Sequence, residues 1–110
     1  MIKFDKDYVM TINGTATTSQ DTQPVFNPAN KDVIAQVPDC SEAQFETTVT
    51  AARKAFVPWS KRPIEERQQL VAKLGDLLED HAEEFMALLT KEQGKPRSGA
   101  EWEIFGSAIW

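Results

Sequence analysis

The 110-residue chain has little of what many catalytic sites need. It contains one cysteine, Cys40, and one histidine, His81. A single cysteine excludes an internal disulfide and suits a reducing compartment. The five glycines match neither the G-x-G-x-x-G turn nor the P-loop. The sequence therefore contains neither a nucleotide-binding loop nor a disulfide framework.

Positive charge is also scarce. Twelve Lys and Arg residues against seventeen Asp and Glu residues give a formal net charge of -5, and the basic residues are scattered among acidic ones. Phosphate backbones are bound by clustered lysine and arginine, so we expect no nucleic-acid partner. No apolar run has the length of a membrane span, and residues 1–7 are too charged for a signal peptide. We expect a soluble, cytoplasmic protein with no membrane partner.

The first third of the chain has the composition of β-strands. Asn13-Gly14 follows a β-branched and aromatic segment and is the preferred dipeptide of a type I′ hairpin turn. Three or four short strands cannot bury both of their faces alone, so another element must cover them. We assign residues 1–38 to this strand-forming part, with strands at 8–12, 15–18, 24–26 and 32–37.

From residue 41 the apolar period changes from two to 3.6 residues, which predicts amphipathic helices. Ser41 with Gln44 is a capping-box pattern at the start of the first helix, and Pro58 is expected to stop it. A long apolar stripe follows, and Asp80 with Glu83 offers a second capping box that would divide it. The predicted helices are 41–57, 63–80, 81–93 and 98–110.

The last predicted helix begins at a capping pair, Ser98 with Glu101, and the chain reaches Trp110 inside its apolar pattern. An apolar helix face left in water indicates either a docking partner or a chain that has been cut, and we expect a cut. The fold class of these residues is α+β, with N-terminal strands and a hairpin followed by three to four amphipathic helices.

Neither Cys40 nor His81 is expected to do chemistry. Cys40 directly precedes a helix start, where the dipole favours a thiolate, but the neighbouring Asp39 and Glu42 oppose it and no base is placed nearby. His81 has no cysteine or histidine partner at short spacing and is interpreted as a solvated surface residue, not a metal ligand. The tryptophans are expected to pack in a core or an interface.

A series of short segments in one order carries a resemblance to a known family. The series resembles the N-terminus of the NAD(P)-dependent aldehyde dehydrogenase superfamily over residues 12 to 96. The segments are Ile-Asn-Gly at 12–14, Phe-Asn-Pro-Ala-Asn at 26–30, Asp-Val-Ile-Ala-Gln-Val-Pro at 32–38, Ala-Ala-Arg-Lys-Ala-Phe at 51–56 with Trp59, Glu-Arg at 66–67 and Glu-Gln-Gly-Lys-Pro at 92–96.

The resemblance implies that residues 1–110 are the N-terminal portion of the cofactor-binding domain of a longer α/β, Rossmann-like parent, with no complete catalytic domain. The implied reaction oxidises a small-molecule aldehyde to a carboxylic acid with NAD or NADP, through a cysteine thiolate and a glutamate that activates water. Those residues and the cofactor-binding residues lie beyond the matched region. No residue here is assigned a catalytic or cofactor-binding role, and the chain alone is expected to be inactive.

The resemblance also implies that the parent forms a homo-oligomer. Within each subunit, this chain is expected to contact the remainder of the same polypeptide.

One site implied by the resemblance lies within the chain. Some family members hold a monovalent cation with a backbone carbonyl just before the Asn-Pro pair and an acidic side chain just before Gly-Lys-Pro, and these positions match Val25 and Glu92. An oxygen-only site suits a hard cation. The alternative is that Glu92 simply ends a helix.

A second interpretation is a self-contained helical protein-interaction module that binds through Trp102, Phe105 and Ile109. It explains the apolar C-terminal helix but not the ordered series of segments. Neither interpretation identifies the aldehyde or selects between NAD and NADP. The reading frame beyond Trp110 would distinguish the two interpretations, because a continuing chain favours the enzyme.

Overall fold

A computed structural model gives the structure of residues 8–109, which form two antiparallel two-stranded sheets followed by four helices. Residues 1–7 of the expected strand-forming part and Trp110, the end of the expected last helix, lie outside the described residues. The expected order of strands followed by helices is confirmed. The elements are β1 (Met10–Ile12), β2 (Thr15–Thr17), β3 (Thr22–Phe26), β4 (Val33–Pro38), α1 (Glu42–Ser60), α2 (Ile64–Asp80), α3 (Ala82–Gln93) and α4 (Arg97–Ile109).

The β1–β2 hairpin turns at Asn13-Gly14, as the sequence predicts. Both residues have a positive φ, 52° at Asn13 and 76° at Gly14, which a type I′ turn requires. Ile12 pairs with Thr15 directly beside the turn. Ile12 is 9% exposed and is the buried residue of this hairpin.

Polar contacts hold the hairpins to the start of α1. The Ser41 hydroxyl accepts from the Gln44 N–H at 3.3 Å, and Gln44 Oε1 accepts from the Ser41 N–H at 3.1 Å, which confirms the capping box. Gln44 Nε2 also donates to the Thr18 carbonyl at 2.8 Å. The Asp39 N–H donates to the Asp21 carbonyl at 2.9 Å. Because Thr18 and Asp21 lie between the two hairpins, these bonds fix both hairpins near the helix N-terminus.

Helix α1 continues through Pro58 to Ser60, so its expected end at residue 57 is wrong. A proline removes the N–H that would bond to the carbonyl four residues earlier, which here belongs to Lys54. Pro58 lies in the last turn, so the helix loses only one bond. Beyond it, the N–H of Lys61 bonds to the Trp59 carbonyl and ends the helix.

The long apolar stripe divides at His81, close to the expected break, but no capping box forms there. His81 is both the C-cap of α2 and the N-cap of α3, and no side chain caps either helix there. The expected capping box of Asp80 with Glu83 is therefore wrong. Backbone bonds bridge the junction instead, since the His81 N–H donates to Glu79 and its carbonyl accepts from Phe85 at 3.1 Å.

Gly94 ends α3 in the left-handed conformation, with φ 68°, directly after the predicted last helical residue at 93 and as glycine commonly does at a helix end. Helix α4 begins at Arg97, one residue before the expected start. Ser98 therefore lies inside the first turn, and the expected serine cap is wrong. The Pro96 carbonyl accepts from the Ala100 N–H at 3.0 Å and so begins the helical bonding.

The buried core is small and lies where α3 packs against α4. Ala82, Met86 and Ala100 are 7%, 4% and 0% exposed, and Leu89 and Ile104 pack against them. None of the helices in residues 8–109 is long and apolar enough to cross a bilayer. Most of the apolar stripe that the sequence shows therefore lies outside this core.

Candidate functional site

The helices α1, α2 and α4 carry many large apolar side chains that are exposed to solvent. We call this set the open helical face. Its residues are Phe45, Phe56, Val57, Trp59, Ile64, Leu70, Val71, Leu74, Leu77, Trp102, Phe105 and Ile109. Exposed apolar surface of this extent marks contact with another protein segment. Trp59 and Trp102 are 39% and 78% exposed, so neither packs in a core formed by residues 8–109, and Trp110 lies outside the described residues.

The accessible surface area shows the same imbalance. It is 8699 Å² for a 12.4 kDa chain, about 2600 Å² more than the roughly 6100 Å² expected of a compact monomer of that mass. The radius of gyration is 16.6 Å, against about 13 Å for a compact domain of this length. The chain thus presents surface that a self-contained domain would bury.

Two grooves cross the open helical face. The first lies between α1 and α2, has a volume of about 530 Å³ and is lined by Phe56, Trp59 and Leu70 among others. The second lies between α2 and the end of α4, has a volume of about 520 Å³ and includes Ile64 and Ile109. Trp59 contributes to both grooves, so they form one continuous surface.

Arg67 lines the second groove together with Val71 and Ala108. Its Nε atom is out of contact with solvent and has no hydrogen-bond partner within residues 8–109. The sequence contained a signal for this position, since Arg67 follows Ile64 by three residues and precedes Val71 by four. Helical spacing therefore places Arg67 on the apolar face of α2.

The turn between β3 and β4 packs against the end of α3. The Asn27 N–H donates to the Asp32 carbonyl at 2.8 Å, and the Lys31 N–H donates to the Asn27 carbonyl at 2.7 Å. Lys31 has a φ of 65° and closes the turn. A β-carbon at Gly94 would lie 2.9 Å from Cγ of Pro28, so the glycine permits this close approach.

Val25 and Glu92, the expected cation ligands, lie on the two segments that this contact joins. Val25 is half-buried in β3 and pairs with Ala35. Glu92 is exposed in the last turn of α3. Within residues 8–109 there is no group of three or more His, Cys, Asp or Glu side chains arranged to hold a metal. A cation at this position would rely on backbone oxygen atoms beside the one carboxylate.

Cys40 and His81 do not line either groove. Cys40 is exposed, and its Sγ lies 3.6 Å from the Ser41 carbonyl. The His81 side chain is only 18% exposed, so its expected solvated position is wrong. The helix junction covers it, and Nδ1 lies 3.7 Å from Oε1 of Glu84, too far for a hydrogen bond.

Two ion pairs involve α4, one to α3 and one to the residues just before α4. Arg97 bonds to Glu83 at the start of α3, and Lys95 bonds to Glu103. The hydrogen bond that Arg97 donates to Glu83, followed by the negative charge of Glu83, raises the pKa of the Arg97 guanidinium above its ordinary value. Water screens such pairs strongly, so they contribute little stability and create no reactive centre.

Solved structures contain the same arrangement of two hairpins followed by four helices. The structure of 3,6-anhydro-L-galactose dehydrogenase in complex with NAP matches 94% of this chain and 22% of that chain, with a TM-score of 0.89 and 29% identity. An NAD-dependent benzaldehyde dehydrogenase from Corynebacterium glutamicum matches 92% of this chain and 22% of that chain, with a TM-score of 0.86 and 32% identity.

The sequence model of the aldehyde dehydrogenase family matches residues 15–109, and the chain belongs to that family. A malonate-semialdehyde dehydrogenase of Bacillus pumilus is 40% identical over 89 residues, which is 81% of this chain and 18% of the relative. A probable aldehyde dehydrogenase of a Pseudomonas species is 38% identical over 100 residues, 91% of this chain and 20% of the relative. The chain spans about a fifth of the length of these relatives, and the family resemblance is confirmed.

Proposed function

We propose that the parent of this chain oxidises an aldehyde to a carboxylic acid with NAD or NADP. The family match over residues 15–109 is the observation that supports it. Three matched proteins are named as dehydrogenases of malonate semialdehyde, benzaldehyde and lactaldehyde, and a further match is named as an NADP dependent enzyme. The substrate class is therefore a small aldehyde, and the nicotinamide accepts the hydride when it is bound.

The part played by residues 1–110 in this proposal is structural. They form the N-terminal portion of the cofactor-binding domain, and their open helical face packs against the remainder of the parent. The proposed catalytic cysteine and glutamate and the cofactor contacts are supplied by that remainder. The chain alone binds neither reactant productively and has no activity.

The test compares the full-length parent with the 110-residue chain. Each is assayed for formation of reduced nicotinamide with malonate semialdehyde, lactaldehyde and benzaldehyde, using NAD and NADP in turn. We expect activity from the parent with at least one pair and none from the short chain. A parent inactive in every combination would contradict the proposal, and so would activity of the short chain.

The behaviour of the short chain also tests the second interpretation. Because the open helical face is uncovered in it, we expect the isolated chain to associate or to unfold without a cooperative transition. A monodisperse monomer with a cooperative thermal transition would favour a self-contained module that binds through Trp102, Phe105 and Ile109. Light scattering and calorimetry on one sample distinguish the two outcomes.

We also propose that the Val25 carbonyl and the Glu92 carboxylate contribute to a monovalent-cation site in the parent. The contact of Pro28 with Gly94 supports this, because it holds the two segments side by side. Potassium or sodium should raise the melting temperature of the parent relative to choline at equal ionic strength. Glu92→Ala should abolish that rise, and Glu46→Ala, an exposed control in α1, should not. An equal response of Glu92→Ala and the unaltered parent would refute the site.

We propose finally that the parent is a cytoplasmic homo-oligomer. Family resemblance supports the oligomer, and the single exposed thiol of Cys40 supports a reducing compartment. Light scattering of the full-length parent measures the first property, and a monomer would contradict it. Fractionation of cells that express the parent measures the second.

A further inference from the structure

We propose that Arg67 is the polar anchor of an interface between the second groove and a later segment of the parent polypeptide, which presents an oxygen acceptor to the guanidinium group. The acceptor is either a carboxylate or a backbone carbonyl. The inference depends on the proposed function in one respect, because it requires that the parent continues as one folded chain after this segment.

The first reason is the state of the Arg67 side chain. Its Nε is out of contact with solvent, yet it has no acceptor within residues 8–109. A buried donor without a partner loses its bonds to water and gains nothing in return, and the loss is greater for a charged group. The side chain as a whole is still partly exposed. The guanidinium group can therefore turn towards an acceptor that enters the groove.

The second reason is the chemistry of the groove walls. Ile64, Val71 and Ile109 are 51%, 57% and 80% exposed, and they surround the arginine in the groove. An apolar occupant is favoured by these walls but would bury the guanidinium group without a partner. An occupant that carries an oxygen acceptor among apolar side chains satisfies both requirements.

The third reason identifies the occupant as part of the parent. The chain spans only 18% and 20% of two relatives, so most of the parent lies elsewhere. The excess exposed area of about 2600 Å² is well above the roughly 800 Å² that each partner contributes to a standard protein interface. A second copy that packed groove against groove, with the two-fold axis at Arg67, would bring two Arg67 side chains together, and their like charges would oppose that contact.

The experiment measures groove protection in the full-length parent. Val71→Cys places a thiol in the groove, and Lys73→Cys places one two residues away on the opposite side of α2. Alkylation is read for each peptide by mass spectrometry, so other cysteines do not interfere. We expect Val71→Cys to react about 100-fold more slowly than Lys73→Cys, because its reaction requires local opening. Equal rates would mean that the groove is open and would overturn the inference.

The role of Arg67 is tested on the protected thiol. Arg67→Met keeps the length of the side chain but removes its donors, and should speed alkylation of Val71→Cys about tenfold, as loss of one buried charged hydrogen bond predicts. Lys73→Met, a matched control on the opposite side of α2, should leave the rate unchanged. Slow alkylation in the Arg67→Met variant would show a covered groove without an anchor and would refute the proposal.

Two further substitutions identify the acceptor and guard against misfolding. Arg67→Gln keeps a neutral donor, so it should restore protection if the acceptor is a carbonyl and fail to do so if it is a carboxylate. Arg67→Lys keeps the charge and should restore protection only with a carboxylate. Failure of both substitutions to restore any protection would contradict an anchoring hydrogen bond. If protection depends on Arg67 but the parent oxidises no aldehyde, the proposed function is refuted and the anchoring role of Arg67 is not.

Discussion

Replacing Gly75 by alanine tests the close crossing of α2 and α4. A β-carbon at Gly75 would lie 2.8 Å from the carbonyl oxygen of Ala108 and 3.6 Å from its carbonyl carbon. Real β-carbons essentially never approach another atom within 3.0 Å, so one helix must move. The obstructing atom belongs to the backbone of α4 and cannot rotate aside as a side chain would.

Two effects of opposite sign compete at Gly75. Alanine is favoured over glycine in a helix interior by about 1 kcal/mol. Overfilling a packed contact costs about 1–3 kcal/mol. Because the overlap involves two backbones, we expect the second effect to prevail, with a net loss of about 1 kcal/mol in the free energy that opens the α2–α4 contact.

The control is Gly106→Ala in α4. A β-carbon there would meet ring carbons of Trp102 at 3.5 Å and 3.6 Å, which is ordinary contact. Only the helix preference remains, so this variant should gain about 0.5–1 kcal/mol. Native-state hydrogen exchange of the α2 and α4 amides in the parent measures both variants, because it reports local opening in a large protein. A gain for Gly75→Ala as large as that for Gly106→Ala would refute the close crossing.

Four other substitutions test the core, the helix start and the packed turn by the same measurement, with Gly14→Ala as the comparison for Gly94→Ala. Met86→Ala should lower the opening free energy of α3 by about 2–5 kcal/mol, because Met86 is 4% exposed at the α3–α4 contact; a loss below 1 kcal/mol would contradict that burial. Ser41→Ala should cost about 1 kcal/mol and speed exchange only in the first turn of α1; uniform acceleration would argue against a local cap. Gly14→Ala and Gly94→Ala both place alanine at a positive φ, but only Gly94 also contacts Pro28. The opening free energy should fall more for Gly94→Ala than for Gly14→Ala, and equal decreases would count against the packing of Gly94 on Pro28.

The sequence predicted the features that depend on neighbouring residues. The Asn13-Gly14 turn and the capping box of Ser41 with Gln44 involve residues at most three positions apart, and both lie where their patterns indicated. The end of α3 at Gly94 depends on the glycine itself, because it must adopt a positive φ. Local chemistry decides each of these positions before any distant segment packs.

Features that depend on packing, or on how much a local defect costs a helix, are harder to predict from the sequence. The continuation of α1 through Pro58 depends on how few hydrogen bonds a proline removes near a helix end, which a stop rule ignores. Burial of His81 depends on the angle between α2 and α3. The pairing of Val25 with Glu92 was proposed from family resemblance, because no periodicity connects residues so far apart. Arg67 was overlooked because its importance arises from the groove that α4 completes.

The apolar stripe on α2 shows what such a pattern predicts and what it leaves open. Helical spacing places Leu70, Leu74 and Leu77 on one face, yet they are 46%, 59% and 45% exposed. Periodicity therefore identifies the apolar face that is suited to burial, but not the segment that buries it. Because few residues of 8–109 are buried, these leucines can contribute their transfer free energy only when another segment covers them, and in our proposal that segment belongs to the rest of the parent. The stability of this segment is for that reason a property of the whole parent, and substitutions on the open helical face must be measured there.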